Sequence, residues 1–408
     1  MGIRVNGRRL RRSLEAMARV GSTPGGGVSR LALSDADGQA RDLFVNWLEE
    51  GNLRVEIDAM GDIFGHRPGR RSGDAPVLAG SHLDFQPRGG RFDGAYGVLA
   101  ALEVARTLQD RGIVTGRPFE VVNWTNEEGS RFSPPMIGSA VFASLTSLED
   151  ACAIADGDGK TIGEELARIG YRGPLPCGGR PVHAYLEAHI EQGPVLEAEG
   201  STIGVVQGIQ AMSRFCVVVR GEADHAGTTP MATRRDALVA AADMVRGIRD
   251  MAASLHERLV ATVGSLSVVP DSPNVVPGEV AFTIDLRSPE PAVLTEAEQP
   301  VPQILATASE RERTTFVLER TWHLPSTRFA HKCIEAVQEA AQELGYSQRD
   351  IISGAGHDAG HLARICDSGM IFVPCEEGRS HTETENASWS DLEAGANVLL
   401  RAVLRLCE

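Results

Sequence analysis

Five side chains able to ligate a metal, His82, Asp93, Glu128, His189 and His381, are spread over about three hundred residues, and most follow a short apolar run that reads as a β-strand. Imidazole and carboxylate together suit zinc, manganese, cobalt or nickel rather than calcium. Two such ions about 3.5–4 Å apart can share a water, lower its pKa and polarise the carbonyl it attacks. One carboxylate must stay off the metals to take the water's proton. The doublet Glu127-Glu128 offers one acid for each task, because adjacent side chains diverge. The clearest segment is Val77-Leu78-Ala79-Gly80-Ser81-His82-Leu83-Asp84, followed by Gly89-Gly90-Arg91-Phe92-Asp93-Gly94. Asp84 is placed to accept the second ring N–H of His82, and Asp93 to bridge two ions. Taken singly, a histidine after a strand is an ordinary hydrogen-bonded residue, Asp-Gly a turn and Glu-Glu a solvated loop. Their conjunction at strand ends points to a two-metal hydrolase.

The rest of the chain must supply elements that bring these residues together. At 408 residues it exceeds what one hydrophobic core normally supports, so two domains are expected. Lys plus Arg total 40 against 55 Asp plus Glu, a net charge of −15, with no basic stripe to follow a phosphate backbone. Nucleic acid is excluded as a partner on that ground. The basic start MGIRVNGRRLRRSLEAMARVG holds no apolar run of secretory or membrane-spanning length, nor does any later window, so a cytoplasmic enzyme without membrane partners is expected. The seven cysteines, Cys152, Cys177, Cys216, Cys333, Cys366, Cys375 and Cys407, are scattered and read as reduced core thiols.

No repeat of solenoid period occurs. Strand and helix signals alternate to about residue 210: strands at 54–58, 77–79 and 119–124, helices near 37–50, 97–110 and 163–169. Such alternation predicts an α/β layer. From about residue 213 the texture changes, with strands at 214–220, 259–269, 280–287 and 316–319 and helices at 236–255 and 295–309, the last shortened or kinked by Pro300 and Pro302. This order is close to β-α-β-β-α-β, a compact split unit. The α/β texture then returns, with a helix at 330–344, a strand at 370–373 and a terminal helix near 392–406. Residues 1–212 and 327–408 are thus read as one domain interrupted by a second, 213–326. In open α/β sheets ligands bind outside the carboxyl ends of the strands, which is where His82, Glu127-Glu128 and His381 fall.

The strings SHLDFQPRGGRFDGAYGVLAALEV, NWTNEEGSRF, HIEQGP, HAGTTPMATRRDAL, PNVVPG, SGAGHDA and MIFVPCEEGRSH, in this order from about residue 10 to 405, resemble the dinuclear metal-dependent amidohydrolases. That family includes N-carbamoyl-L-amino acid hydrolases, β-ureidopropionases and allantoate amidohydrolases, relatives of aminoacylases and carboxypeptidases. The resemblance implies a metallopeptidase-like α/β catalytic domain, its mixed central sheet flanked by helices, and a smaller inserted α+β, ferredoxin-like domain for dimerisation and closure. It implies two divalent ions per subunit, one held by His82, Asp93 and His189, the other by Asp93, Glu128 and His381. Glu127 would be the general base, Asp84 the partner of His82, and Gln192 a substrate contact beside the metals. His225 would reach from the inserted domain of a partner subunit to the oxyanion, which makes a homodimer the expected assembly.

A substrate carboxylate needs a cation, and Arg287 ends the strand Phe282-Thr283-Ile284-Asp285-Leu286-Arg287. A guanidinium grips a carboxylate in bidentate fashion. Standing alone it reads as a surface ion pair; the resemblance makes it the clamp, together with Asn274 on the rigid turn of PNVVPG. His357, in Gly354-Ala355-Gly356-His357-Asp358-Ala359, would line the pocket, the stretch lacking the lysine of a phosphate loop. Two positions depart from the usual family pattern: Phe85 stands where serine or threonine is common, and Thr382-Glu383-Thr384 replaces an asparagine-containing run. Phe85 is expected to add bulk beside the metal loop. The Gln86-Pro87 and Tyr96-Gly97-Val98-Leu99-Ala100 variants favour the carbamoylase and β-ureidopropionase branch over the allantoate one. The expected reaction is hydrolysis of the ureido group of an N-carbamoyl amino acid, with allantoate hydrolysis next and deacylation or exopeptidase action behind it.

Overall fold

The structure, a computed structural model, describes residues 2–408. The chain divides into two compact units: one formed by the chain up to Gly208 together with Arg328–Glu408, the other by Ile209–Thr327. The larger unit is built on a mixed sheet. From one edge inward its strands run Arg54–Ile57, Ile63–Arg67, Phe119–Trp124, Val77–His82, Ala184–Ile190, Asp367–Val373 and Ile203–Ile209, with Gln348–Ser353 beside the last. The four central strands are parallel. Their flanks, Ile63–Arg67 and Ile203–Ile209, are antiparallel. Full burial on both faces explains why Val77–His82 and Phe119–Trp124 show no period-two alternation; Ala184–Ile190 is equally buried although its sequence alternates.

Helices Gly7–Met17, Ala95–Asp110, His331–Leu344 and Trp389–Leu406 pack with the sheet into one core around Leu99, Val104, Val337, Leu399 and Val403. Ala95–Asp110 starts immediately after Gly94, whose φ is +61°. A Cβ at Gly94 would fall 2.3 Å from the His82 ring, so only glycine lets this helix begin against the candidate metal ligand. Where the second unit interrupts the first, the two ends abut: the N–H of Phe329 donates to the carbonyl of Gln207 at 3.0 Å.

The smaller unit is an antiparallel sheet in the order Leu266–Val269, Glu279–Ser288, Ala211–Arg220, Thr315–Leu324, with Val260–Thr262 beside Asp285–Arg287. Burial alternates strictly along Glu279–Ser288, as period-two geometry requires. Val280, Phe282, Ile284 and Leu286 share a core with Ala240, Met244 and Ile248 of helix Ala237–Leu255 and with Leu305 of Val301–Glu312. Two expectations need correcting here. The run 259–269 is two short strands, Val260–Thr262 and Leu266–Val269, separated around Gly264. The helix expected at 295–309 is two helices, Pro291–Glu298 and Val301–Glu312, because Pro300 cannot donate to the preceding turn and caps the second helix instead. Strands Ile63–Arg67, Ile203–Ile209 and Gln348–Ser353 were not anticipated.

Candidate metal centre

The carboxyl ends of the four parallel strands converge as the sequence pattern expects. His82 is the last residue of its strand and His189 the penultimate residue of its own. Glu127 and Glu128 follow Phe119–Trp124 by a few residues, and His381 follows Asp367–Val373 by a loop. Three non-glycine residues here take left-handed backbone angles: Asn126, φ 56°; Gln192, φ 58°; and His381, φ 56°. Each such residue costs about 1–3 kcal/mol and persists where surrounding bonds fix it. Asn126 is fixed by Nδ2 donating to the carbonyl of Phe132 at 2.9 Å.

Asp93 sits at the centre of the cluster and turns its two oxygens in different directions. Oδ1 is 3.1 Å from His189 Nε2 and 3.8 Å from His82 Nε2. Oδ2 is 3.1 Å from His381 Nε2, which lies 3.4 Å from Glu128 Oε2. The donor atoms of His82, Asp93 and His189 all lie within 4.8 Å of one another, and so do those of Asp93, Glu128 and His381. The structure thus brings together all five residues singled out as ligands, in two triplets that share one carboxylate.

Electrostatics show that these residues fit cations. Burial holds the His82 imidazole down at about 4, so it is neutral at pH 7. Its Nδ1 lies 3.0 Å from the carbonyl of Asp84, which makes Nδ1 the protonated nitrogen. The lone pair on Nε2 therefore faces carboxylate oxygens of Asp93 and of Glu127, the latter at 3.5 Å. That arrangement is repulsive unless positive charge lies between them. Burial, then the charge of Asp93, pushes Glu128 up to about 8, and its Oε1 is buried without a hydrogen-bond partner. Glu127 is raised well above the usual carboxylate range by burial and by Asp358, Glu128, Asp84 and Asp93. Around His189 burial opposes protonation, but the Asp93 hydrogen bond outweighs it and lifts the ring to about 9. At His381 burial is likewise outweighed, by Glu128 and Asp93, and the ring rises to about 10. Two divalent ions at the two triplets would replace those protons and relieve the crowding of acids.

Asp84 differs from the expectation. Its carboxylate is 3.9 Å from His82 Nδ1; the ring is oriented by the Asp84 main-chain carbonyl instead. The carboxylate is taken by the main-chain N–H groups of Glu127 and Glu128, each at 3.2 Å, which the turn after Trp124 would otherwise leave unpaired. Asp84 thereby ties the acid doublet to the His82 loop. Gln192 lies beside Asp93, its Nε2 donating to Asp93 Oδ2 at 3.1 Å. His357 is 2 % exposed, with its ring centroid 4.6 Å from that of His189 and its Nε2 3.1 Å from Ser353 Oγ. It forms a third close group with Glu187 and His189, but both oxygens of Glu187 are already engaged, by Ser81, Tyr185 and the N–H of Ala359. That group buttresses His189.

Phe85 turns into the core, 1 % exposed beneath the Arg30 guanidinium, rather than standing in open space beside the loop. Of the unusual Thr382-Glu383-Thr384 run, Glu383 accepts from Thr23 Oγ in the glycine-rich loop. Two neighbours of the site were missed in the sequence. Gln86 Nε2 donates to Glu128 Oε2 at 2.6 Å, and Glu385 is bonded to both the Asp93 and the His381 loops. For Glu385 the only signal was an acid four residues beyond His381, which in an acidic chain carries no weight.

In the smaller unit, His225 is exposed and lies opposite Val275 in a short strand pair. Its Nδ1 accepts the N–H groups of Gly227 at 2.9 Å and Thr228 at 3.2 Å, so its proton is on Nε2. The carbonyl of Asn274 accepts the N–H of Ala226 at 2.9 Å, making the two loops neighbours. Arg287 is not an unengaged clamp: its Nε and Nη2 meet both oxygens of Asp285 at 2.6 and 3.1 Å. Residues two apart share a strand face, which makes this pairing local. Asp285 also accepts Arg214 at 3.1 Å, and these arginines hold its carboxyl below the usual range against the opposing effect of burial.

A sequence profile of peptidase family M20/M25/M40 matches residues 78–405. An N-carbamoyl-L-amino-acid amidohydrolase of Rhizobium meliloti is 44% identical over 99% of this chain and 97% of its own length. An allantoate amidohydrolase of Bacillus subtilis is 31% identical, covering 96% of each chain. The crystal structure of a hydantoinase/carbamoylase family amidase from Burkholderia vietnamiensis is similar with a TM-score of 0.97 and 50% identity, over 100% of this chain and 99% of that one. With the motifs, the convergent strand ends and these likenesses in agreement, the chain belongs to peptidase family M20/M25/M40.

Proposed function

We propose that the protein hydrolyses the carbamoyl C–N bond of N-carbamoyl amino acids: one water is consumed, and the free amino acid, ammonia and carbon dioxide are released. The observation that carries the reaction class is the split of Asp93, one oxygen toward His82 and His189, the other toward His381 and Glu128. The substrate class is supported by the N-carbamoyl-L-amino-acid amidohydrolases, 44% and 38% identical over nearly the whole chain.

His82, Asp93 and His189 would hold one divalent ion, and Asp93, Glu128 and His381 the other. Such ions, of zinc, manganese, cobalt or nickel, supply Lewis-acid polarisation of a carbonyl and acidify water. Glu127, buried and kept basic by its acidic neighbours, takes the water's proton and later delivers it to the leaving nitrogen. Asp84 holds that glutamate through its main chain. Gln192 holds the substrate beside Asp93, and His357 walls the pocket behind His189. His225, with its proton on Nε2, is a donor suited to an oxyanion. Arg287 and Asn274 bind the substrate carboxylate.

We further assign a homodimer formed through the smaller unit, where Leu238, Val239, Val260, Leu266 and Val269 are exposed. No helix among the described residues is long and apolar enough to cross a membrane.

The test is ammonia release from N-carbamoyl-β-alanine, a panel of N-carbamoyl-α-amino acids and allantoate, with each metal added in turn to stripped protein. Release from carbamoyl amino acids is expected. Cleavage of acetyl-amino acids or peptides without ammonia would reverse the assignment, and faster turnover of allantoate would move it to the second branch. Light scattering of the eluted protein decides the assembly.

A further inference from the structure

Asp93 and His381 belong to loops far apart in sequence, yet their side chains lie 3.1 Å apart. One buried carboxylate spans the two loops. Glu385 Oε1 accepts three consecutive main-chain N–H groups, of Arg91 at 3.0 Å, Phe92 at 2.9 Å and Asp93 at 3.2 Å. Its Oε2 accepts the Ser380 hydroxyl at 2.9 Å. Ser380 Oγ is in turn 3.2 Å from Asp93 Oδ2 and accepts from Gln192 Nε2 at 3.1 Å. Having one proton, the hydroxyl donates to Glu385 or to Asp93, and the shorter contact is with Glu385. Successive N–H groups pointing into one concavity make an anion-binding nest. Glu385 fills it at 1 % exposure, and the approach depends on Gly90, where a Cβ would lie 2.1 Å from the carboxylate.

We infer that Glu385 is a positioning residue: it clamps the Arg91–Asp93 main chain to Ser380-His381 and so presets the spacing of the second ligand triplet before an ion arrives. The inference rests on reading Asp93, Glu128 and His381 as ligands. A clamp of this kind acts on affinity, because without it the ion must order two loops as it binds. Outer residues that orient ligands are typically worth about 10–100-fold in metal affinity.

The experiment titrates Co²⁺ into chelator-stripped full-length protein, following heat and the visible absorption of the bound ion, for the wild type, Glu385→Ala, Glu385→Gln and Ser380→Ala. The wild type is expected to take two ions per chain; fewer than two would overturn the ligand reading itself rather than the clamp. Glu385→Ala is expected to bind the ion of the second triplet about 10–100-fold more weakly, with an altered spectrum for that ion and a smaller loss at the other, which shares Asp93. Glu385→Gln keeps an acceptor for the N–H groups but cannot accept from Ser380 through its amide nitrogen, and falls between. Ser380→Ala leaves the Arg91–Asp93 bonds intact and weakens the same ion by less than Glu385→Ala. Both ions binding within twofold of wild type, with an unchanged spectrum, in folded Glu385→Ala would sink the inference. Should that variant not fold, the same result in Glu385→Gln does so.

Discussion

Replacing Glu127 by glutamine removes one charge and almost no volume from a side chain that is 7 % exposed and whose Oε2 lies 3.5 Å from His82 Nε2. The bond from its main-chain N–H to Asp84 Oδ1 is untouched, and neither ligand triplet includes this residue. Both ion sites therefore keep all their donors. General-base catalysis contributes about 10²–10⁴ in rate. At 1.36 kcal/mol per decade, kcat should fall by the equivalent of about 3–5 kcal/mol of barrier. Stability should move the other way. Burial and the charges of Asp358, Glu128, Asp84 and Asp93 raise Glu127 well above 4.5, so above its ordinary titration range this acid weighs against the metal-free fold, and a neutral amide removes that burden. The assay is ammonia release at saturating substrate, with metal content and the melting temperature of stripped protein measured on the same sample. A variant retaining two ions and a kcat within tenfold of wild type would refute the assignment of the base. Loss of an ion along with activity would place Glu127 among the ligands instead.

Asp93→Ala should abolish binding of both ions, whereas His381→Ala should cost only one; a full single equivalent retained in Asp93→Ala would contradict the shared carboxylate. Ion uptake at pH 7 should release protons, since Glu128, His189 and His381 stand at about 8, 9 and 10 in the metal-free protein and ligands must deprotonate. Affinity should accordingly climb from pH 7 toward 10, and calorimetry in buffers of different ionisation heat counts the protons; a flat profile would disprove this. His361, buried and held down at about 4 against an ordinary 6.5, titrates higher in the unfolded chain than in the folded one. Stability present above pH 6.5 is then lost as pH falls toward 4, by about 3 kcal/mol from this group. Urea denaturation across that window should show a shallower acid slope in His361→Gln, and an unchanged slope would be inconsistent with the burial argument.

What could be read from the sequence depended on physical range. Val77–His82 and Phe119–Trp124 announce themselves because strands buried on both faces are largely apolar, and the residues at or after their ends are metal-ligand candidates; Ala184–Ile190, whose pattern alternates, was ambiguous in the sequence. Gln348–Ser353 was missed because its half-exposed sequence gives a weak apolar signal, whereas Ile203–Ile209 is apolar and buried but interrupted by Gly204 and Gly208. Pro300 was recognised as a disturbance, but only the backbone shows that it ends one helix and starts another. Within the site, residue types singled out the ligand candidates, while hydrogen-bond partners stayed hidden. Asp84 was placed beside His82, but its bonds to the Glu127-Glu128 main chain were not foreseen, and whether its carbonyl or its carboxylate orients the ring is a matter of ångströms. Glu385 was invisible because its role is defined by three N–H groups almost three hundred residues away in sequence.

The bond from Phe329 to Gln207 bears on how this chain can be taken apart. The entry and exit of the interruption stand side by side in the larger unit, and Met212 faces Leu324 across the adjoining strands of the smaller one. Excising the intervening segment and stitching Gly208 to Arg328 through a turn of a few residues leaves a loop so short that closing it costs little entropy. A smaller unit of different shape could then be exchanged on the larger one at the same seam.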